Sequence, residues 1–102
     1  MPNISGKEVK KVVVACDAGM GSSVLLASTL KKQLAPYSVS VDHTPVNSIP
    51  ADADVVLCHA GLLARAKSVV PDKVVLPFQV FLGDPVFTKV VNAVRDGATI
   101  ES

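Results

Sequence analysis

Residues 11–34, KVVVACDAGMGSSVLLASTLKKQL, decide the fold because they join a strand to a helix through one short turn. The run KVVVAC is apolar and β-branched, which is typical of a strand that is buried on both faces. After the turn the period changes, since Leu26, Leu30 and Leu34 recur at every fourth position, as on the inner face of a helix. Two lysines in the last turn complement the helix dipole. The stretch therefore predicts a strand at 11–16, a turn, and a helix at 22–34.

The rest of the chain continues this alternation. By hydrophobic period we predict further strands at 37–42, 54–59 and 72–78 and helices at 60–70 and 85–95. Asp84 is the expected N-cap of the last helix and Gly97 its C-terminal stop. Strands that alternate with helices predict an α/β layered sandwich with a mainly parallel sheet and right-handed crossovers. Ligands of such sheets bind at the carboxyl edge beside the first strand, where Cys16 lies.

The composition of the chain limits the classes of protein to which it can belong. A chain of 102 residues with 49% hydrophobic content is expected to form one domain, at 11–96, between a flexible N-terminal segment at 1–10 and a tail at 97–102. A net charge of +1 without a basic cluster argues against a nucleic-acid partner. Two cysteines make no disulfide framework, which favours a reducing, cytoplasmic location. No apolar run approaches the ~20 residues that cross a bilayer, so no membrane insertion is expected.

The turn CDAGMGSS has the chemistry of an anion site. Gly19 and Gly21 permit positive φ and close backbone approach, so that successive N–H groups and the positive helix end converge on one point. Ser22 and Ser23 add hydroxyl donors. The same amides favour a thiolate, so Cys16 is expected to be more acidic than an ordinary thiol and to be a nucleophile for phosphoryl transfer. The alternative is a buried cysteine followed by an ordinary glycine-rich turn.

Other phosphate motifs do not match this turn. A Walker A loop requires a lysine that is absent here, and a dinucleotide fingerprint requires a third glycine. A low-molecular-weight cysteine phosphatase has an arginine at the position of Ser22, although Asp84-Pro85 imitates the general acid of that class. Without the bidentate arginine, hydrolysis is poorly supported. The thiol is therefore expected to pass a phosphoryl group on rather than lose it to water.

At this point the sequence resembles a known family. VVVACDAGMGSSVL looks like the phosphocysteine loop of the IIB component (EIIB) of the sugar phosphotransferase system, and CDAGMGSS most resembles its mannitol branch. DVVLCHAGLLARA is similar to the third-strand segment of that branch, where His59 and Arg65 match and Ala60 and Gly61 depart from the pattern. The resemblance covers residues 11–95. It implies a flavodoxin-like three-layer sandwich whose four parallel strands have the order 2-1-3-4.

The resemblance also implies a phosphoryl relay. A phosphohistidine of an EIIA protein would phosphorylate Cys16, which would then donate to a sugar, a hexitol such as mannitol, bound in the membrane transporter EIIC. The phosphoryl group would be wrapped by the loop residues Asp17, Ala18, Gly19, Met20, Gly21, Ser22 and Ser23. No cofactor and no metal are expected, and the chain is expected to be a monomer.

Further residues complete the prediction. His59 ends the third strand at the same sheet edge as Cys16, where it is either an auxiliary site residue or an exposed loop histidine. An apolar rim for docking a partner is predicted from Met20, Val24, Phe78 and Val80. Two other functions stay open on the sequence: a IIB-like regulatory module that controls transcription, and a cysteine phosphatase.

Overall fold

The computed structural model describes residues 3–16, 21–79 and 84–101. The strands and α-helices in this part of the chain are β1 (Asn3–Ser5), β2 (Lys11–Cys16), α1 (Gly21–Leu34), β3 (Ser40–Pro45), β4 (Val55–His59), α2 (Leu63–Val69), β5 (Val74–Phe78), α3 (Pro85–Asp96) and β6 (Thr99–Glu101). Single 3₁₀ turns lie at Gly6–Glu8, Ala35–Tyr37, Val46–Ser48 and Ala60–Leu62. Among these described residues, no helix combines the length and apolar character needed to cross a bilayer.

The central sheet is parallel and has helices on both faces. Its four strands lie in the order β3-β2-β4-β5, which is the predicted order 2-1-3-4. One hydrophobic cluster joins alternate residues of the strands, such as Val12 and Val14, to α1 and α3. A second cluster joins the intervening residues, such as Val13, to Ala66 of α2. The predicted three-layer α/β sandwich is therefore confirmed.

Strand β2 lies at the centre of this arrangement. Its residues from Val12 to Ala15 are fully buried, in agreement with the unbroken apolar run that predicted a strand covered on both faces. Helix α1 buries Leu26, Leu30 and Leu34, which are the residues its period assigned to the inner face. The strand that carries Cys16 is thus held by the core on each side.

Two predicted elements begin three residues later in the chain than expected, the largest such shifts. The edge strand was predicted at 37–42, but β3 starts at Ser40, whose N–H donates to the Lys10 carbonyl at 2.8 Å. The preceding residues form a 3₁₀ turn around Pro36, and Ser38 at φ 61° ends it. Helix α2 starts at Leu63 instead of residue 60 because the first turn after β4 is 3₁₀. Local turn geometry, which hydrophobic period does not report, accounts for both shifts.

Residues 3–5 and 99–101 pair with each other, where the sequence predicted a flexible N-terminal segment and a tail. Strands β1 and β6 form an antiparallel ribbon in which Ile4 lies opposite Ile100, and Ile100 is fully buried. The Gly6 N–H donates to the Ala98 carbonyl at 2.7 Å. A Cβ at Gly6 would overlap the Ala93 carbonyl oxygen, so the N-terminal segment approaches the end of α3 as closely as only glycine permits. The limits of the domain, 11–96, stay a prediction.

Candidate functional site

The carboxyl edge of the sheet gathers the residues that the sequence singled out. Cys16 is the last residue of β2 and lies opposite Pro45 of β3. On the other side of β2, Ala15 lies opposite Cys58, so the next position of the register places His59 beside Cys16. His59 in turn lies opposite Phe78 of β5. Cys16, His59 and Phe78 therefore occupy neighbouring positions on three adjacent strands.

Helix α1 begins at Gly21, and four residues separate Cys16 from this start. These four, Asp17, Ala18, Gly19 and Met20, lie outside the described residues, as does Val80. Cys16, Gly21, Ser22 and Ser23 are placed by their backbone alone. The first N–H groups of a helix have no partner within it and carry a partial positive charge. Cys16 is thus followed, four residues later in the chain, by the positive end of a 14-residue helix.

His59 is held in place rather than free in a loop. It is half-buried and caps the 3₁₀ turn at 60–62, where its Nδ1 accepts the Gly61 N–H at 3.2 Å. Its ring also makes an edge contact with the ring of Phe78, with centroids 6.1 Å apart. Of the two interpretations that the sequence left open, the exposed loop histidine is wrong.

Phe78 does not belong to a docking rim. It is 1% exposed and packs against the ring of Phe87 with centroids 5.2 Å apart. The prediction of a partner contact at Phe78 is therefore wrong. It failed because position 78 falls on the same face of β5 as Leu76, the face that α1 and α3 cover.

An exposed apolar pair does exist beside the site, on the first turns of α1. Val24, which was predicted to contact a partner, is 49% exposed, and its neighbour Leu25 is 58% exposed. Sequence reasoning missed Leu25, although a signal was present: Leu25 lies outside the period of Leu26, Leu30 and Leu34.

Asp84 fastens the segment between β5 and α3. One carboxylate oxygen accepts the Val86 N–H at 3.0 Å, which confirms the predicted N-cap. The other oxygen accepts the Gln79 N–H at 2.7 Å, a bond that was not predicted. A single side chain thus joins the residue that follows β5 to the first turn of α3, at the edge where Cys16 lies.

Cys58, the second cysteine of the chain, belongs to the core. It is fully buried in the cluster beneath α2, and burial raises the pKa of its thiol to about 11, with a smaller opposing effect from Lys67. A thiol in this state is neutral and unreactive at neutral pH. The prediction that Cys58 packs as a small apolar residue is confirmed.

Comparison with known proteins decides the family. A family model described as "PTS system, Lactose/Cellobiose specific IIB subunit" matches residues 11–93. The chain belongs to the IIB family of the sugar phosphotransferase system. The matched range runs from the start of β2 into α3, so it contains Cys16, His59 and the turn between β2 and α1.

The similar relatives carry mannitol in their names. The mannitol-specific EIICB component of Bacillus subtilis (strain 168) is 36% identical over 90% of this chain and 20% of its own length. That of Geobacillus stearothermophilus is 40% identical over 86% of this chain and 19% of its own length. A solved lactose-specific IIB domain from Streptococcus pneumoniae is 19% identical, covers 87% of this chain and 94% of its own, and gives a TM-score of 0.48. The predicted family is confirmed, and the chain spans about a fifth of the length of these mannitol relatives.

Proposed function

We propose that this IIB chain is a phosphocarrier. Cys16 takes a phosphoryl group from a phosphohistidine of EIIA and donates it to a sugar, a hexitol such as mannitol, that is bound to the membrane component EIIC on the cytoplasmic side. The observation that carries this proposal is the place of Cys16, at the carboxyl end of a strand buried on both faces and four residues before the start of α1. The names of the relatives support the choice of sugar and the link to EIIC.

The chemistry consists of two displacements at phosphorus. The thiolate of Cys16 attacks the phosphorus, and the P–N bond breaks with its electron pair left on the imidazole of EIIA. In the second step a sugar hydroxyl attacks, the S–P bond breaks, and the pair returns to sulfur while the hydroxyl proton leaves to solvent. A positive helix end stabilises both the thiolate and the transferred group. The loop from Asp17 to Ser23 is proposed to supply the amides that wrap the phosphoryl oxygens.

The partner that delivers the phosphoryl group is proposed to dock beside this loop. Val24 and Leu25 supply exposed apolar surface next to the start of α1, and Met20 and Val80 are proposed to extend it. Transient complexes of this kind need only a small contact area. Leu25→Asp should slow phosphorylation by EIIA severalfold and leave the melting temperature nearly unchanged, because an exposed side chain contributes little to the core. Unchanged transfer at subsaturating EIIA would show that the partner docks elsewhere.

The test is reconstitution of the relay. With phosphoenolpyruvate, the two general phosphotransferase proteins and a cognate EIIA, the intact mass should rise by one phosphoryl group. Cys16→Ser should abolish this gain, whereas Cys58→Ala should retain it, because Cys58 is buried away from solvent. Phosphate on a histidine, or steady hydrolysis of an aryl phosphate by the unmodified chain, would overturn the proposal.

A further inference from the structure

The hydrogen bond at His59 determines which ring nitrogen carries the proton. Nδ1 accepts the Gly61 N–H at 3.2 Å, so its lone pair is occupied by that bond. A neutral imidazole with an acceptor at Nδ1 has its proton at Nε2. In the neutral ring, the backbone turn at 60–62 therefore selects the tautomer that donates from Nε2.

The sheet register places His59 beside Cys16. Cys16 and His59 end adjacent parallel strands at matched positions, and adjacent strands lie about 4.8 Å apart. The two-residue period of a strand assigns position 16 to the face of Val12 and Val14 and position 59 to the face of Val55 and Leu57. Those four residues share one hydrophobic cluster. Positions 16 and 59 thus belong to the same face and the same edge of the sheet.

We infer that His59 is a catalytic residue that donates its Nε2–H to the phosphoryl group carried by Cys16. The inference rests on the proposed phosphocarrier function and deepens it. Its role is that of a neutral hydrogen-bond donor and not of a general base, because Nε2 already holds a proton. It is not a general acid either, because loss of that proton would leave an imidazolate. The donor stabilises charge on the phosphoryl oxygens during transfer.

The ring contact with Phe78 supports this role. Phe78 is 1% exposed and its ring meets the ring of His59 nearly at right angles, at 89°. One side of the imidazole is therefore fixed by a buried side chain while Nδ1 is fixed by the backbone. A donor that is held at two points loses little freedom when it binds an oxyanion.

Two substitutions separate the contributions of the two ring nitrogens of His59. In His59→Asn the side-chain oxygen replaces Nδ1 as acceptor for Gly61, but no donor reaches the place of Nε2. In His59→Gln the amide nitrogen takes the place of Nε2, but the acceptor for Gly61 is lost. Both variants lose the ring contact with Phe78, so we expect His59→Asn to melt above His59→Gln, because it alone keeps the acceptor for Gly61, and to slow phosphorylation of Cys16 by about tenfold or more. We expect His59→Gln to lower the melting temperature by about 4 °C and to stay within about threefold of the wild-type rate.

The wild-type reaction distinguishes failure of this inference from failure of the proposed function. If wild-type Cys16 gains no phosphoryl group, the proposed function fails. If it does and His59→Asn transfers at the wild-type rate, only the inference fails. Nitrogen NMR of the ring gives a readout independent of activity: a protonated Nε2 and an unprotonated Nδ1 are expected, and the reverse pattern would overturn the assignment.

Discussion

Asp84 offers a quantitative test of how the edge near Cys16 is built. Its two carboxylate oxygens accept different backbone donors, from Val86 at 3.0 Å and from Gln79 at 2.7 Å. Asp84→Asn keeps one oxygen for the cap of α3 and replaces the other with an amide that cannot accept. Asp84→Ala removes both acceptors. The pair of variants therefore separates the helix cap from the bond to Gln79.

The expected losses follow from these two contacts. Removal of an N-cap side chain costs about 1 kcal/mol. A solvent-exposed hydrogen bond from a backbone N–H to a side-chain oxygen, like the one from Gln79, contributes about 0.5–1 kcal/mol net. The free energy of unfolding should fall by about 0.5–1 kcal/mol in Asp84→Asn and by about 1.5–2 kcal/mol in Asp84→Ala. For a chain of this size, 1 kcal/mol corresponds to about 4–8 °C in melting temperature.

Thermal unfolding followed by circular dichroism measures both variants against the wild type. Asp84→Ser is the matched control, because serine caps the helix but is too short to replace both carboxylate oxygens. It should behave like Asp84→Asn. Equal losses in Asp84→Asn and Asp84→Ala would show that the cap contributes nothing. A loss below about 0.5 kcal/mol in Asp84→Ala would refute the assignment of both bonds.

Three further predictions test the core and the chain ends. The free energy of unfolding should decline between pH 9 and about 11, because the thiol of Cys58 ionises in the unfolded chain while it stays protonated in the folded one. Cys58→Ala should remove this part of the decline, as measured by urea unfolding at alkaline pH. Gly6→Ala should lower the free energy of unfolding by about 1–3 kcal/mol, because the added Cβ would overlap Ala93. Gly61→Ala is the control: its Cβ would meet its nearest neighbour at 3.5 Å, so the melting temperature should hardly change. Phe78→Ala should lower the free energy of unfolding, measured in urea, by about 3–5 kcal/mol. A loss under about 1 kcal/mol would show that Phe78 is not part of the core.

The sequence predicted the layers of this fold well because each strand and helix carries its own hydrophobic pattern within a short segment of the chain. The apolar run at 11–16 and the fourfold spacing of leucines in α1 each report burial directly, and the structure buries those residues. Parallel strands that alternate with helices leave few topologies, which is why the carboxyl edge could be assigned as the site. The cap at Asp84 and the stop at Gly97, where φ is 73°, were equally readable because each uses a specific residue type.

Features that depend on contacts between distant segments were not readable. The pairing of β1 with β6 joins residues almost a full chain length apart, and only the fold shows that the buried Ile100 faces Ile4. Phe78 was misplaced because proximity to a sheet edge does not reveal which face a side chain takes. The second bond of Asp84 was missed for a different reason: its donor Gln79 is only five residues away, but the N-cap pattern does not assign a bond to a residue that precedes the cap.

The candidate site and the pairing of β1 with β6 lie at opposite edges of the sheet. Helix α3 starts at Asp84, where it is tied to the end of β5, and runs 12 residues back to the amino edge of the sheet. There Gly6 packs against its last turn, and the ribbon of β1 and β6 follows. Residues 3–5 and 99–101 therefore lie at the edge opposite Cys16. The contacts of Gly6 and of the ribbon thus lie away from the carboxyl edge, where Cys16 and His59 end their strands.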